Sequence, residues 1–181
     1  KVDEKDFATY TTFKGQEEVF LMNQYGQYLS SREAAKRRTE IRRNGDNSIR
    51  TITDAVGNKV VYEYDLVGKM TSKTDYPDGA GSTRAVTETF TYDPKFNRLA
   101  THTDYPDTAA RVTLNTIDPD NGNLLQTQVA SAGFSAVTAT YTYTGRGQLL
   151  TETDQYGNIT RYEYDDYSRI TAIVYPDALD S

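Results

Sequence analysis

Apolar and polar residues alternate with a period of two along much of the chain, most clearly from Val60 to Thr71. Val60, Tyr62 and Tyr64 fall on one face of an extended strand, and Val61 and Glu63 fall on the other. That is the pattern of a half-buried strand built from β-branched and aromatic residues. Asp65-Leu66-Val67-Gly68 then forms a four-residue turn. The Asp carboxylate can accept from backbone N–H groups inside the turn, and Gly takes a positive φ without a Cβ clash. Lys69-Met70-Thr71 begins the return strand, so the stretch predicts a β-hairpin.

The rest of the chain is largely copies of this unit. Thr53-Asp54-Ala55-Val56-Gly57-Asn58 returns as Thr153-Asp154-Gln155-Tyr156-Gly157-Asn158, and each leads into the same kind of strand, Lys59–Asp65 and Ile159–Asp165. Between them lie Phe90-Thr91-Tyr92-Asp93, then Asn115-Thr116-Ile117-Asp118, then Tyr141-Thr142-Tyr143-Thr144. Tyr64, Tyr92, Ile117, Tyr143 and Tyr164 take equivalent places at uneven intervals. A second turn recurs as Asp75-Tyr76-Pro77-Asp78, Asp104-Tyr105-Pro106-Asp107 and Val174-Tyr175-Pro176-Asp177, where Pro fixes φ and removes a ladder donor. The uneven intervals imply that the second turn varies in length while the first does not. Asp54, Gly57, Asp65, Gly68, Asp93, Asp154, Gly157 and Asp165 are expected to be turn residues. The fold class is therefore all-β, with consecutive antiparallel hairpins forming an open repeat sheet or spiral.

The pattern divides the chain into a lead-in segment (1–17), a degenerate repeat with a basic insertion (18–52) and a repeat array (53–181). In the degenerate repeat, Asn23 stands where Asp stands later. The insertion carries Arg32, Lys36, Arg37, Arg38, Arg42 and Arg43. Ser30 with Glu33 has capping-box spacing, which suits a short helix near 31–43. Alternatively, Asn44-Gly45 is a hairpin turn joining Thr39–Arg43 to Ser48–Thr53. A helix or irregular insertion is the expectation adopted, with a solvated, charge-rich surface as its role.

Composition narrows the functional classes. The chain has 15 Tyr and no Trp, so its apolar surface is largely amphipathic phenol suited to half-wet walls. The net charge of -6 argues against nucleic acid as a partner, because such binding needs a basic face. No apolar run reaches the length of a membrane span, and nothing at Lys1 resembles a signal peptide. The absence of Cys removes disulfides, thiol catalysis and Cys-ligated zinc. The chain reads as a piece of something longer.

Tyr-x-Tyr-Asp-x-x-Gly-(Arg/Lys)-(Leu/Met)-Thr, with Thr-Asp-x-x-Gly-Asn between copies, resembles the YD repeats of the Rhs (rearrangement hotspot) family. Tyr62–Thr71 and Tyr162–Thr171 match best, with Asp54–Asn58 and Asp154–Asn158 beside them, and the likeness covers Thr53 to Asp177. There are departures: Asn97 for Gly, Ile117 for Tyr, Thr144 for Asp and Ser168 for Gly. Asn tolerates a left-handed backbone, whereas Ser168 suggests a differently shaped turn. The resemblance implies a bacterial secreted or cell-surface protein whose hairpins form a hollow shell. Its expected partners are the remainder of the same shell and an enclosed effector polypeptide.

Little in the sequence points to an enzyme. His102 is the only His and lies on an ordinary return strand, so a Ser-His-Asp arrangement would rest on it alone. No metal and no cofactor are expected. Asp118-Pro119-Asp120-Asn121-Gly122 fails as a calcium loop, because Gly122 and Val129 stand where ligands belong. Paired carboxylates for glycoside hydrolysis stay open as a class, although most Asp residues have turn roles. The remaining candidates are Tyr62, Tyr64, Tyr92, Tyr141, Tyr143, Tyr162 and Tyr164. They suit cross-strand ladders lining a wall, or exposed contacts for a glycan or an enclosed guest.

Overall fold

The structure is a computed structural model, and it describes residues 6–11, 17–33, 38–79, 81–105 and 109–176. Two compact units, Lys1–Glu88 and Thr89–Ser181, divide the chain. The first contains β1 (Asp6–Thr11), β2 (Glu17–Met22), β3 (Tyr28–Glu33), β4 (Arg38–Arg43), β5 (Ile49–Thr53), β6 (Lys59–Tyr64) and β7 (Met70–Tyr76). β8 (Val86–Tyr92) crosses the boundary. The second unit continues with β9 (Leu99–Asp104), β10 (Arg111–Ile117), β11 (Leu124–Ser131), β12 (Val137–Tyr143), β13 (Leu149–Thr153), β14 (Ile159–Tyr164) and β15 (Ile170–Val174).

Within each unit every strand pairs antiparallel with its neighbour in sequence, from β1 to β7 and from β8 to β15. The fold is therefore all-β, in open sheets of consecutive hairpins. No helix occurs among the described residues. The helix expected near 31–43 is thus corrected: Tyr28–Glu33 and Arg38–Arg43 are strands, and residues 34–37 lie outside the described set. Arg42 pairs with Thr51 and Ile41 with Ile52 across the Asn44–Asn47 turn. Alternation of Ile41 with Arg42 fits the pleat, and it outweighs the local helical propensity of the preceding residues.

Among the described residues no apolar side chain is fully buried, and the buried polar residues are Asn23 and Thr51. A single-layer sheet covers each side chain only by its cross-strand and diagonal neighbours. In the second unit, Phe90, Tyr92, Tyr141, Tyr143, Tyr162 and Tyr164 alternate with Thr91, Thr142 and Glu163 on the opposite face. That opposite face carries hydroxyl pairs, Thr91–Thr101 and Thr142–Thr151, each at 2.6 Å.

The hairpins are of two kinds. Those after β2, β4, β6, β8, β10, β12 and β14 each carry a register shift just before the turn, at Met22, Arg43, Tyr64, Tyr92, Ile117, Tyr143 and Tyr164. The alternate pairings, such as β5–β6 and β13–β14, run without a shift. In the shifted hairpins the extra residue lies on the return strand: Tyr64 opposes Met70 and Glu63 opposes Ser72, leaving Thr71 unpaired. A bulge bends the strand and increases its twist. Repeating it along one edge only gives the two edges of the sheet different local geometry.

Candidate functional site

The repeated turns are built around one donor problem. Asp65 N–H bonds the Lys69 carbonyl at 2.8 Å, and Gly68 N–H takes the Asp65 carbonyl at 3.1 Å. Gly68 has φ 84, and its use of that carbonyl leaves the Lys69 N–H without the partner a tighter hairpin would supply. Asp65 Oδ1 accepts it at 2.9 Å, together with Val67 N–H at 3.0 Å. Asp54, Asp154 and Asp165 repeat the arrangement, with Gly57 and Gly157 at φ 97 and φ 87. A second interaction explains the residue after the turn. Asn58 and Asn158 donate to Asp54 and Asp154 Oδ2 at 2.7 and 2.9 Å, and the Arg169 guanidinium does so to Asp165 at 2.7 Å.

These bonds set the charge state of the carboxyls. The Asn158 amide, aided by backbone N–H groups, holds Asp154 below the usual carboxylate range. The Arg169 N–H and guanidinium do the same for Asp165. Burial pushes Asp54 up, but the Asn58 amide and the N–H groups of Val56 and Asn58 outweigh it, and the net shift is downward.

Ser168 adopts φ 66 and donates its N–H to Asp165 at 3.0 Å, the bond Gly68 makes to Asp65. The turn shape is therefore unchanged, and Ser168 bears the left-handed strain itself. The first turn does vary in length, contrary to expectation. Asp93 and Asp118 close one residue later, on Asn97 N–H and Gly122 N–H, each at 2.9 Å. Both longer turns place Pro second, where its fixed φ suits the turn entry. Asp93 Oδ1 accepts from Lys95 and Phe96 N–H. Asp118 accepts from Asp120 N–H and the Asn121 amide, so both its oxygens are occupied.

All seven candidate tyrosines, Tyr62, Tyr64, Tyr92, Tyr141, Tyr143, Tyr162 and Tyr164, are half-buried rather than exposed. The hydroxyls of two of them have a definite task. Tyr143 donates to the Leu124 carbonyl at 2.9 Å, and Tyr164 donates to the Leu149 carbonyl at 2.8 Å. Leu124 and Leu149 each open the preceding return strand, so the last residue of one strand latches the turn before it. Arg43 does likewise in the first unit, donating to the Tyr28 carbonyl at 3.3 Å and to the Asn47 carbonyl at 2.9 Å. Burial raises the Tyr143 phenol above its ordinary range, partly offset by its bond to Leu124.

Asn23 was legible only as a stand-in for Asp. Its amide donates to Asn47 Oδ1 at 2.8 Å, joining two turns, while its own Oδ1 accepts from Tyr25 and Gln27 N–H. A carboxylate could do the second task but not the first. The exposed tyrosines are others: Tyr25, Tyr156 and Tyr167 are 70%, 79% and 81% exposed at turn tips, and Tyr105 and Tyr175 are exposed at the second turns. Residues 106–108 and 177 of those second turns lie outside the described residues. Between the turns at Thr144 and Asp165 runs an open groove lined by Arg146, Gln148, Tyr162, Tyr164 and Asp166. Arg146 bridges it by donating to the Asp166 carbonyl at 3.2 Å.

His102 and Lys73 are engaged with neighbouring side chains. The His102 ring stacks on Phe90, with centroids 4.6 Å apart and planes 8° from parallel. Lys73 bonds Asp75 and Glu88 at 2.8 and 3.0 Å, and those bonds raise its ammonium pKa. Among the described residues no group of His, Cys, Asp or Glu is placed to hold a metal ion. Nor is any helix there long and apolar enough to cross a membrane.

Hairpins of alternating kind, turns closed by a carboxylate and latches between successive turns define a β-hairpin repeat protein. Residues 143–179 match the RHS Repeat family. The fold is similar to that of solved structures of TcdB2-TccC3. The TcdB2-TccC3-TEV chain is 18% identical, with a TM-score of 0.65 over 86% of this chain and 9% of that one. TcdB2-TccC3 without its hypervariable C-terminal region is 16% identical, with a TM-score of 0.66 over 92% of this chain and 10% of that one. TcdB2-TccC3-Cdc42 gives the same figures, 16% and 0.66. The chain thus spans about a tenth of the length of these structures. No curated relative matches it.

Proposed function

We propose that this chain is a wall segment of an RHS-repeat β-shell, working without catalysis to enclose an effector polypeptide. One observation carries the reading: the repeated polar groups are used up in holding the wall together. Turn carboxylates close on backbone N–H groups, and the Tyr143 and Tyr164 hydroxyls latch neighbouring turns. Half-buried Tyr rings on one face would present an amphipathic surface, able to face an unfolded guest without binding it irreversibly. The partners under this reading are the rest of the shell and the enclosed chain, and the setting is a secreted or cell-surface protein.

The test uses the full-length parent with a protease site introduced in the polypeptide to be enclosed. Protection of that site until the wall is opened is expected. Digestion as fast as in the free polypeptide would overturn the reading. The alternative reading is a carbohydrate- or receptor-binding adhesion module using exposed Tyr. Titration with a glycan panel separates it, because saturable heat abolished by Tyr162→Ala or Tyr164→Ala with the fold intact would establish glycan binding instead.

A further inference from the structure

The sequence contains two Asn-Gly pairs, Asn44-Gly45 and Asn121-Gly122, and both fall in hairpin turns. Such a pair is chemically special. The backbone nitrogen of the Gly can attack the Asn side-chain carbonyl, and the lack of a Cβ leaves that approach open. Sequence cannot rank the two pairs, but their surroundings can.

At Asn121 the reacting atoms are held. Gly122 N–H donates to the Asp118 carbonyl at 2.9 Å. The Asn121 amide donates to Asp118 Oδ2 at 2.9 Å, and its carbonyl oxygen accepts from Asn123 N–H at 2.9 Å. Gly122 is buried, and a Cβ built on it would lie 2.7 Å from the Phe96 ring. Attack would require breaking these bonds and moving a packed residue.

At Asn44 the nucleophile is free. Gly45 is exposed, nothing lies within 4 Å of where its Cβ would be, and its N–H has no hydrogen-bond partner among the described residues. The Asn44 amide makes one bond, to Ser48 Oγ at 2.9 Å. Its carbonyl oxygen is not the acceptor that caps this turn. Asp46 Oδ1 takes the Ser48 N–H at 3.0 Å instead.

We propose that Asn44 is a site of spontaneous deamidation, and that Asn121 is protected from it. The Gly45 nitrogen loses its proton and bonds to the Asn44 side-chain carbonyl carbon, whose bond to Nδ2 breaks and releases ammonia. Water then opens the cyclic imide at either carbonyl. Opening at the side-chain carbonyl restores the ordinary backbone with an aspartyl side chain. Opening at the main-chain carbonyl leaves an isoaspartyl link with one more atom in the backbone. No oxidant or metal is needed.

The two products differ in consequence. An aspartyl residue at position 44 occupies the place that Asp54 and Asp65 hold in equivalent turns, where a carboxylate accepts two backbone N–H groups. The isoaspartyl product lengthens the turn. It displaces the closure between Asn44 N–H and the Ser48 carbonyl at 2.9 Å, and with it Asn47, the residue on which Arg43 and Asn23 converge. The isoaspartyl product thus loosens the joint between the turns at Asn23 and Asn44.

The test is incubation of the folded chain in neutral and mildly alkaline buffer, followed by peptide mapping with mass spectrometry in heavy-oxygen water. Heavy oxygen should enter position 44 several times faster than position 121, and the rate should rise with alkalinity. Gly45→Ala, which meets open space and an ordinary φ, should keep the fold and slow the reaction markedly. Asn44→Asp should fold as the parent does, which would assign any loosening on ageing to the isoaspartyl product. Conversion at position 121 as fast as at 44, or a rate unmoved by Gly45→Ala, would overturn the proposal. So would an unmodified position 44 under conditions that convert a free peptide of the same sequence.

Discussion

Replacing Tyr164 by Phe keeps the ring and removes only the hydroxyl that bonds the Leu149 carbonyl at 2.8 Å. A neutral intramolecular hydrogen bond contributes about 1 kcal/mol net, and a carbonyl left partly dry raises the cost towards about 2 kcal/mol. For a unit of this size, 1 kcal/mol corresponds to roughly 5 °C in Tm, or about 0.5 M in urea midpoint at an m-value near 2 kcal/mol/M. The control is Tyr167→Phe, at a turn tip 81% exposed, where surface substitutions change stability by no more than about 0.5 kcal/mol. The assay is urea unfolding followed by far-UV circular dichroism. A second variant sharpens the point. Leu149 lies opposite Tyr143, whose own hydroxyl bonds Leu124, so the two latches meet at one cross-strand pair. Tyr143→Phe with Tyr164→Phe should therefore depart from additivity by about 0.5 kcal/mol or more. If Tyr164→Phe unfolds at the same midpoint as Tyr167→Phe, the latch contributes nothing and the reasoning fails.

Gly122 and Gly147 share a left-handed φ, 79 and 81, but only Gly122 faces a ring. Gly147→Ala should cost about 1–2 kcal/mol from backbone strain, while Gly122→Ala should add about 1–3 kcal/mol of overpacking against Phe96; equal denaturation midpoints would contradict this. Ser168→Gly should stabilise the second unit by up to about 1 kcal/mol, read as a higher Tm, because it relieves strain at φ 66. The depressed Asp154 and Asp165 carboxyls give a signed pH dependence. Their folded values lie below the unfolded carboxylate value of about 3.9, so their contribution is complete above that pH and is lost as pH falls through the folded values. Acid titration followed by circular dichroism should show stability flat near neutrality and declining below about pH 4. The decline should shrink in Asp154→Asn with Asp165→Asn.

The sequence by itself determined the hairpins, the turn positions and the identity of the turn-closing carboxylates. Those features are local: a period of two, an Asp and a Gly three residues apart, and a donor left over within the same few residues. It also placed Gly68 and Gly157 at positive φ. Tertiary structure decided what depends on a neighbour. The strand at Arg38–Arg43 forms because β3 and β5 flank it and supply ladder partners, which outweighs a capping-box spacing. That the bulges fall at alternate hairpins is visible only in the register of the paired strands. Tyr143 and Tyr164 read as ladder or ligand residues until the preceding return strand brought its carbonyl within reach. Asn23 looked like a weakened Asp until the turn at Asn47 lay beside it. In each case the deciding partner is a backbone or amide group many residues away, and alternation along one strand carries no information about it.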